Sequence, residues 1–72
     1  MSEHDLRLAS MHRIIENAGA ERVSDSACVE LRRVLEEVGL KISKEALDFT
    51  KHARRKTVKD VDIRIAAERF LK

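Results

Sequence analysis

The 72-residue chain contains no proline, two glycines, no tryptophan or tyrosine and a single cysteine. The shortage of aromatic strand formers argues against a sheet. Phe49 and Phe70 are the only aromatic side chains available to stack on unpaired bases, so recognition of single-stranded nucleic acid is not expected. With Cys28 alone, no intramolecular disulfide can form and a zinc site has at most one sulfur ligand. A reducing cytosol is the simplest setting. No apolar run approaches a membrane span, and the opening Met1-Ser2-Glu3-His4-Asp5 leads into no apolar segment, so neither an anchor nor a signal peptide is expected. His4, His12 and His52 fall on separate predicted elements. There is no glycine-rich loop, and no Cys/His or Ser/His spacing suits a nucleophile or a metal, so neither an enzyme nor a cofactor is expected.

What is present is 43% apolar and 39% charged residue, the balance of a folded helical domain. The whole of residues 1–72 is read as one domain, small enough that oligomerisation is the usual remedy for a marginal core. The charge is uneven. The nine residues Lys51 to Lys59 hold five basic side chains, one histidine and no acid, which leaves ten basic against thirteen acidic residues, a net of −3, for the other 63. So localised a positive segment suits a polyanion such as a nucleic-acid backbone, although a solvated charged loop has the same composition.

Leu8, Met11, Ile14, Ile15 and Ala18 recur at helical spacing and stop at Gly19, which predicts a first helix of roughly two to three turns. Ser24 or Asp25 can cap a second helix that no proline interrupts before His52. Along it Ala27, Leu31, Val34, Leu35, Val38, Ile42, Ala46, Phe49 and Ala53 form one broad apolar face. Gly39 lies in the middle, where it costs about 1 kcal/mol relative to alanine; a close helix crossing would explain it, and so would a plain weak spot. Thr57-Val58-Lys59-Asp60 has the form of a capping box with Thr57 at the cap. A third helix with Val61, Ile65, Ala66 and Phe70 on its apolar side follows.

A helix of about 28 residues is about 42 Å long, whereas a compact chain of this size has a diameter near 30 Å. Two short helices cannot cover its apolar stripe from end to end. A second copy crossing the first can, so an intertwined antiparallel dimer is the economical arrangement.

At Arg13-Ile14-Ile15, Ala18-Gly19-Ala20-Glu21-Arg22-Val23-Ser24, Leu35-Glu36-Glu37 and Lys51-His52-Ala53-Arg54-Arg55-Lys56-Thr57-Val58 the chain resembles the archaeal histones, in the same order and spacing over about residues 11 to 72. The resemblance implies an all-α histone fold of short helix, loop, long central helix, loop and short helix, paired in a handshake homodimer. The implied function is architectural: bending and wrapping double-stranded DNA through phosphate and minor-groove contacts, in extended stacks of dimers, on the chromosome in the cytoplasm. Other histones are further implied partners.

Residue by residue, Arg22 resembles the arginine that enters the minor groove. Lys56 and Thr57 resemble phosphate contacts, with Thr57 equally readable as a helix cap. Arg13 resembles a first-helix backbone contact. Arg55 joins the DNA-binding loop and matches, with Asp62, a pair in which an aspartate of the third helix clamps the loop arginine. Phe49, His52, Asp62 and Ile65 match a contact between neighbouring dimers, and Gly19 matches the small residue that lets successive DNA turns stack.

Departures from the family are also visible. Arg54 stands where glycine is usual, which would alter the turn or add a phosphate contact. Glu16 and Asn17 replace lysines, which would weaken the central DNA site. Residues 1–7 are expected to fray unless Leu6 and Leu8 extend the first helix. Two rival readings remain: a histone-fold component of a heterodimeric transcription regulator, and a helical protein-interaction module that never touches DNA.

Overall fold

The computed structural model describes the backbone from Ser2 to Leu71 and the side chains from Arg7 to Leu71. Met1, Lys72 and the side chain of Leu6 lie outside the described residues. Three helices follow one another, α1 (Ser2–Asn17), α2 (Asp25–His52) and α3 (Asp60–Phe70). The described residues contain no strand. Contacts divide the chain inside α2 into two compact units, residues 1–36 and 37–72.

In the first unit α1 is 16 residues long, more than four turns at about 3.6 residues each. The short helix predicted from Leu8 onward is therefore extended at its N-terminal end. Arg7 donates to Glu36 at 3.1 Å, and Met11 and Leu35 line one shallow groove between α1 and α2. The helix ends at Asn17 because Gly19 takes a left-handed φ of 111°. Gly19 N donates to Glu16 O at 2.9 Å and Ala20 N to Ile15 O at 3.5 Å, the paired bonds of a Schellman turn. Of the two candidate caps for α2, Ser24 is the one used: its Oγ accepts from Ala27 N at 3.1 Å.

In the second unit α3 packs along the end of α2. Thr50 and Asp62 are hydrogen-bonded at 2.7 Å. Ala46 and Ala66, one turn away from each, are both wholly buried. The helix begins two residues later than the capping-box reading placed it, with Lys59 rather than Thr57 at the cap. Two acids fit the motif, and the structure separates them. Asp62 Oδ2 accepts from Lys59 N at 3.0 Å, whereas Asp60 Oδ1 takes only the adjacent Val61 N at 2.9 Å.

The core is thin. Cys28, Ala46 and Ala66 are the only buried apolar residues among those described. Members of the predicted stripe are left open, with Val34 37% and Leu35 41% exposed and Ala27 and Ala53 exposed as well. A β-carbon at Gly39 would meet nothing within 4 Å, so no close crossing among the described residues accounts for this glycine. On α3 the Asp62–Ala66 strip is flanked by Ile63 and Phe70 on one side and by Val61 and Ile65 on the other, at about 100° per residue. These four side chains are 38–40% exposed.

Candidate nucleic-acid interface

The second loop is built from the end of α2. Arg54 N donates to Lys51 O at 2.9 Å and Arg55 N to Thr50 O at 3.0 Å, the same pair of bonds that ends α1. Here the left-handed position belongs to Arg54, with φ 60°. A Schellman turn commonly carries an apolar contact between the residue after the left-handed one and the residue five before it. In this loop those residues are Arg55 and Thr50, and both turn to the same carboxylate.

That carboxylate is Asp62, 2% exposed. Arg55 Nη2 donates to its Oδ1 at 2.8 Å and Nη1 to its Oδ2 at 2.9 Å. The hydroxyl of Thr50 and the amide of Lys59 also donate to Oδ2. Arg55 Nη1 reaches Thr57 O at 2.9 Å as well, which fixes the loop backbone. The Arg55 guanidinium, followed by the Lys59 amide and the Thr50 hydroxyl, holds the Asp62 carboxyl well below the usual carboxylate range. The same bond raises Arg55 above its ordinary value.

The expected pairing of Arg55 with Asp62 is therefore present, in a bidentate form that buries the aspartate and half-buries the arginine. Arg55 is also the loop cation turned most completely inward. Lys51, Arg54, Lys56 and Thr57 are exposed around it. Sequence periodicity does not single out Thr50. Its signal is a hydroxyl one turn from Ala46 within an otherwise apolar face.

The other expected residues are placed as follows. Arg13 and Arg22 are exposed in the first unit. Gly19 has a local reason to be glycine in its φ of 111°. Phe49 is half-buried, and the Arg69 guanidinium lies 5.6 Å above its ring. Ile65 is 40% exposed. His52 is exposed, and its Nδ1 lies 2.9 Å from Asp48 O. Because a carbonyl only accepts, Nδ1 carries the hydrogen and Nε2 is left for an outside partner. Asp62 was expected both to clamp the loop and to meet His52 of a neighbour; its buried oxygens are already taken by the clamp. No group of three His, Cys, Asp or Glu able to hold a metal occurs among the described residues. No described helix is long and apolar enough to cross a membrane.

Three helices joined by two short loops, with the second loop basic and pinned to the last helix, define a histone fold. Residues 5–67 match the family described as histone-like transcription factor (CBF/NF-Y) and archaeal histone. A component of the archaeal histone HAN1 of Thermococcus zilligii is 45% identical over 64 residues, covering 89% of this chain and 96% of the relative. Probable archaeal histone 3 of Methanocaldococcus jannaschii is 44% identical over 62 residues, covering 86% and 92%. The chain belongs to this family of DNA-binding, non-enzymatic histone-fold proteins.

Asp62, held ionised by its partners, contributes stability that is complete above the ordinary carboxylate range near pH ~4 and is lost as the pH falls through and below it. Thr50→Val should cost about 1–3 kcal/mol at neutral pH, since it deletes a hydrogen bond to a charged group. It should also move the onset of acid unfolding to higher pH, because one of the bonds holding the carboxylate ionised is gone. Circular dichroism across an acid titration measures both, with Thr50→Ser expected to restore the wild-type curve. An acid transition unmoved by Thr50→Val would show that this hydroxyl does not hold the carboxylate.

Proposed function

We propose that the chain is a DNA-packaging histone that pairs with a second copy in a head-to-tail handshake and bends double-stranded DNA around the dimer. The observation that carries this reading is the second loop, where exposed Lys51, Arg54, Lys56 and Thr57 stand on a frame fixed by the pairing of Arg55 with buried Asp62. Cations and hydroxyls held in one place suit a phosphate backbone, which offers charge at regular spacing and no base-specific edge. In the dimer Arg22 of one copy would lie beside the second loop of the other and enter the minor groove. Arg13 would add a backbone contact at the dimer centre.

The half-exposed apolar side chains support pairing. A chain whose only buried apolar residues among those described are a cysteine and two alanines has left many of its Leu, Ile and Val side chains open. α3 also offers two separate flanks, which suits two different neighbours. We assign Ile63 and Phe70 to the partner within the dimer. Ile65, with Phe49 and His52, would join one dimer to the next along DNA; Asp62 would serve that contact by fixing the start of α3. Gly19 would then allow successive turns to stack, with the assembly resident on the chromosome in the cytoplasm. A second reading has one observation in its favour: the relative from Thermococcus zilligii is named as one component of a histone, so pairing with a different histone is the alternative.

If pairing and folding are one reaction, the thermal midpoint of the isolated chain should rise with protein concentration. A constant midpoint at monomeric mass would contradict self-pairing and point to a different partner chain. On DNA, log K should fall linearly with log salt at a slope of roughly −0.9 per phosphate neutralised. Lys56→Ala should make that slope shallower and weaken binding to unrelated duplexes alike. Loss confined to one sequence would refute backbone reading.

A further inference from the structure

The chain makes the same turn twice and fills it differently. At the end of α1 the left-handed residue of the Schellman turn is Gly19, with φ 111°; at the end of α2 it is Arg54, with φ 60°. Left-handed backbone crowds the β-carbon of any L-residue against a neighbouring carbonyl, which is why glycine, and after it asparagine, dominates this position. Arg54 is the only described non-glycine residue with positive φ. Nothing among the described residues compensates. Its side chain is exposed, and it has no hydrogen bond or ion pair among the described residues. The neighbouring Arg55, by contrast, is turned into the buried clamp.

The turn requires a left-handed residue but not an arginine; strain that glycine would relieve, at a residue whose side chain is unsupported, points to a ligand outside the chain. The chemistry of that ligand follows from the neighbours. Lys51 and Lys56 are exposed on either side, and no acid occurs between Lys51 and Lys59, so the group that Arg54 meets is an anion. A planar guanidinium with several fixed donors suits two oxygens of one phosphate better than a point charge would.

We propose that Arg54 is a phosphate-binding residue of the DNA interface, retained in a left-handed position at the expense of stability. The proposal rests on the DNA-binding function proposed for the second loop and adds to it an opposition of sign. Removing this side chain should strengthen the fold while weakening the complex.

The experiment compares wild type, Arg54→Gly and Arg54→Lys in thermal unfolding and in DNA titrations at several salt concentrations. Arg54→Gly should raise Tm by about 4–8 °C, the shift expected from relieving strain of this kind in a small domain. Its DNA affinity should fall by roughly three- to tenfold per lost contact at low salt, with the salt slope shallower by roughly 0.9 for each. Arg54→Lys keeps both the strain and the charge, so its Tm should stay at the wild-type value and its slope should be close to wild type. A stabilised Arg54→Gly with unchanged affinity and slope would overturn the proposal, because the strain would then serve no ligand. An Arg54→Gly that is not stabilised would overturn the claim of strain. Wild-type binding without any salt dependence would instead remove the DNA reading itself, and the proposal with it.

Discussion

A single buried carboxylate organises the second half of the chain. Asp62 accepts from a side chain of α2, from two nitrogens of the loop arginine and from the backbone amide that starts α3. An aspartate at 2% exposure is tolerable because both of its oxygens accept hydrogen bonds, one of them from three donors. Each of those partners is fixed in return. Thr50 and Arg55 are the two residues that would ordinarily make the apolar contact of the turn ending α2. Here they converge on Asp62, so the end of one helix, the loop and the beginning of the next helix share one polar anchor.

The anchor divides labour among the basic residues. Arg55 is neutralised and largely withdrawn, while Lys51, Arg54 and Lys56 remain outside with their backbone held. A fixed backbone lowers the entropy lost when exposed cations meet phosphates, and that makes an otherwise ordinary basic loop a candidate interface. The packing beside it is economical in the same way. Ala46 and Ala66 let α2 and α3 come together through small side chains, while Leu47, Val61, Ile63, Ile65 and Phe70 stay 38–40% exposed, open to the pairing proposed above.

Much of this was legible in the sequence. Helical periodicity, Gly19 and the basic interruption after His52 placed the helices and loops, and the spacing of α2 predicted a stripe too long for one chain to cover. Local chemistry was harder to read. Asp60 and Asp62 both satisfy a capping-box spacing, and only the route of the loop between Arg55 and Lys59 decides which acid is three residues after the cap. Thr50 fell within an apolar face, where pattern gives no hint that its hydroxyl finds a carboxylate twelve residues on. The fold also distinguishes Gly19 from Gly39: the first is demanded by its own φ, and the second has no reason within the chain.

The most direct test of this account is the DNA affinity of Asp62→Asn, measured at a protein concentration where circular dichroism shows the variant folded. The substitution removes one negative charge beside a basic loop, so on charge alone the affinity should rise. If the carboxylate fixes the loop, Arg55 loses its ionic partner, the exposed cations lose their frame, and affinity for duplex DNA should fall. Affinity that is unchanged or increased would contradict the claim that Asp62 organises the interface.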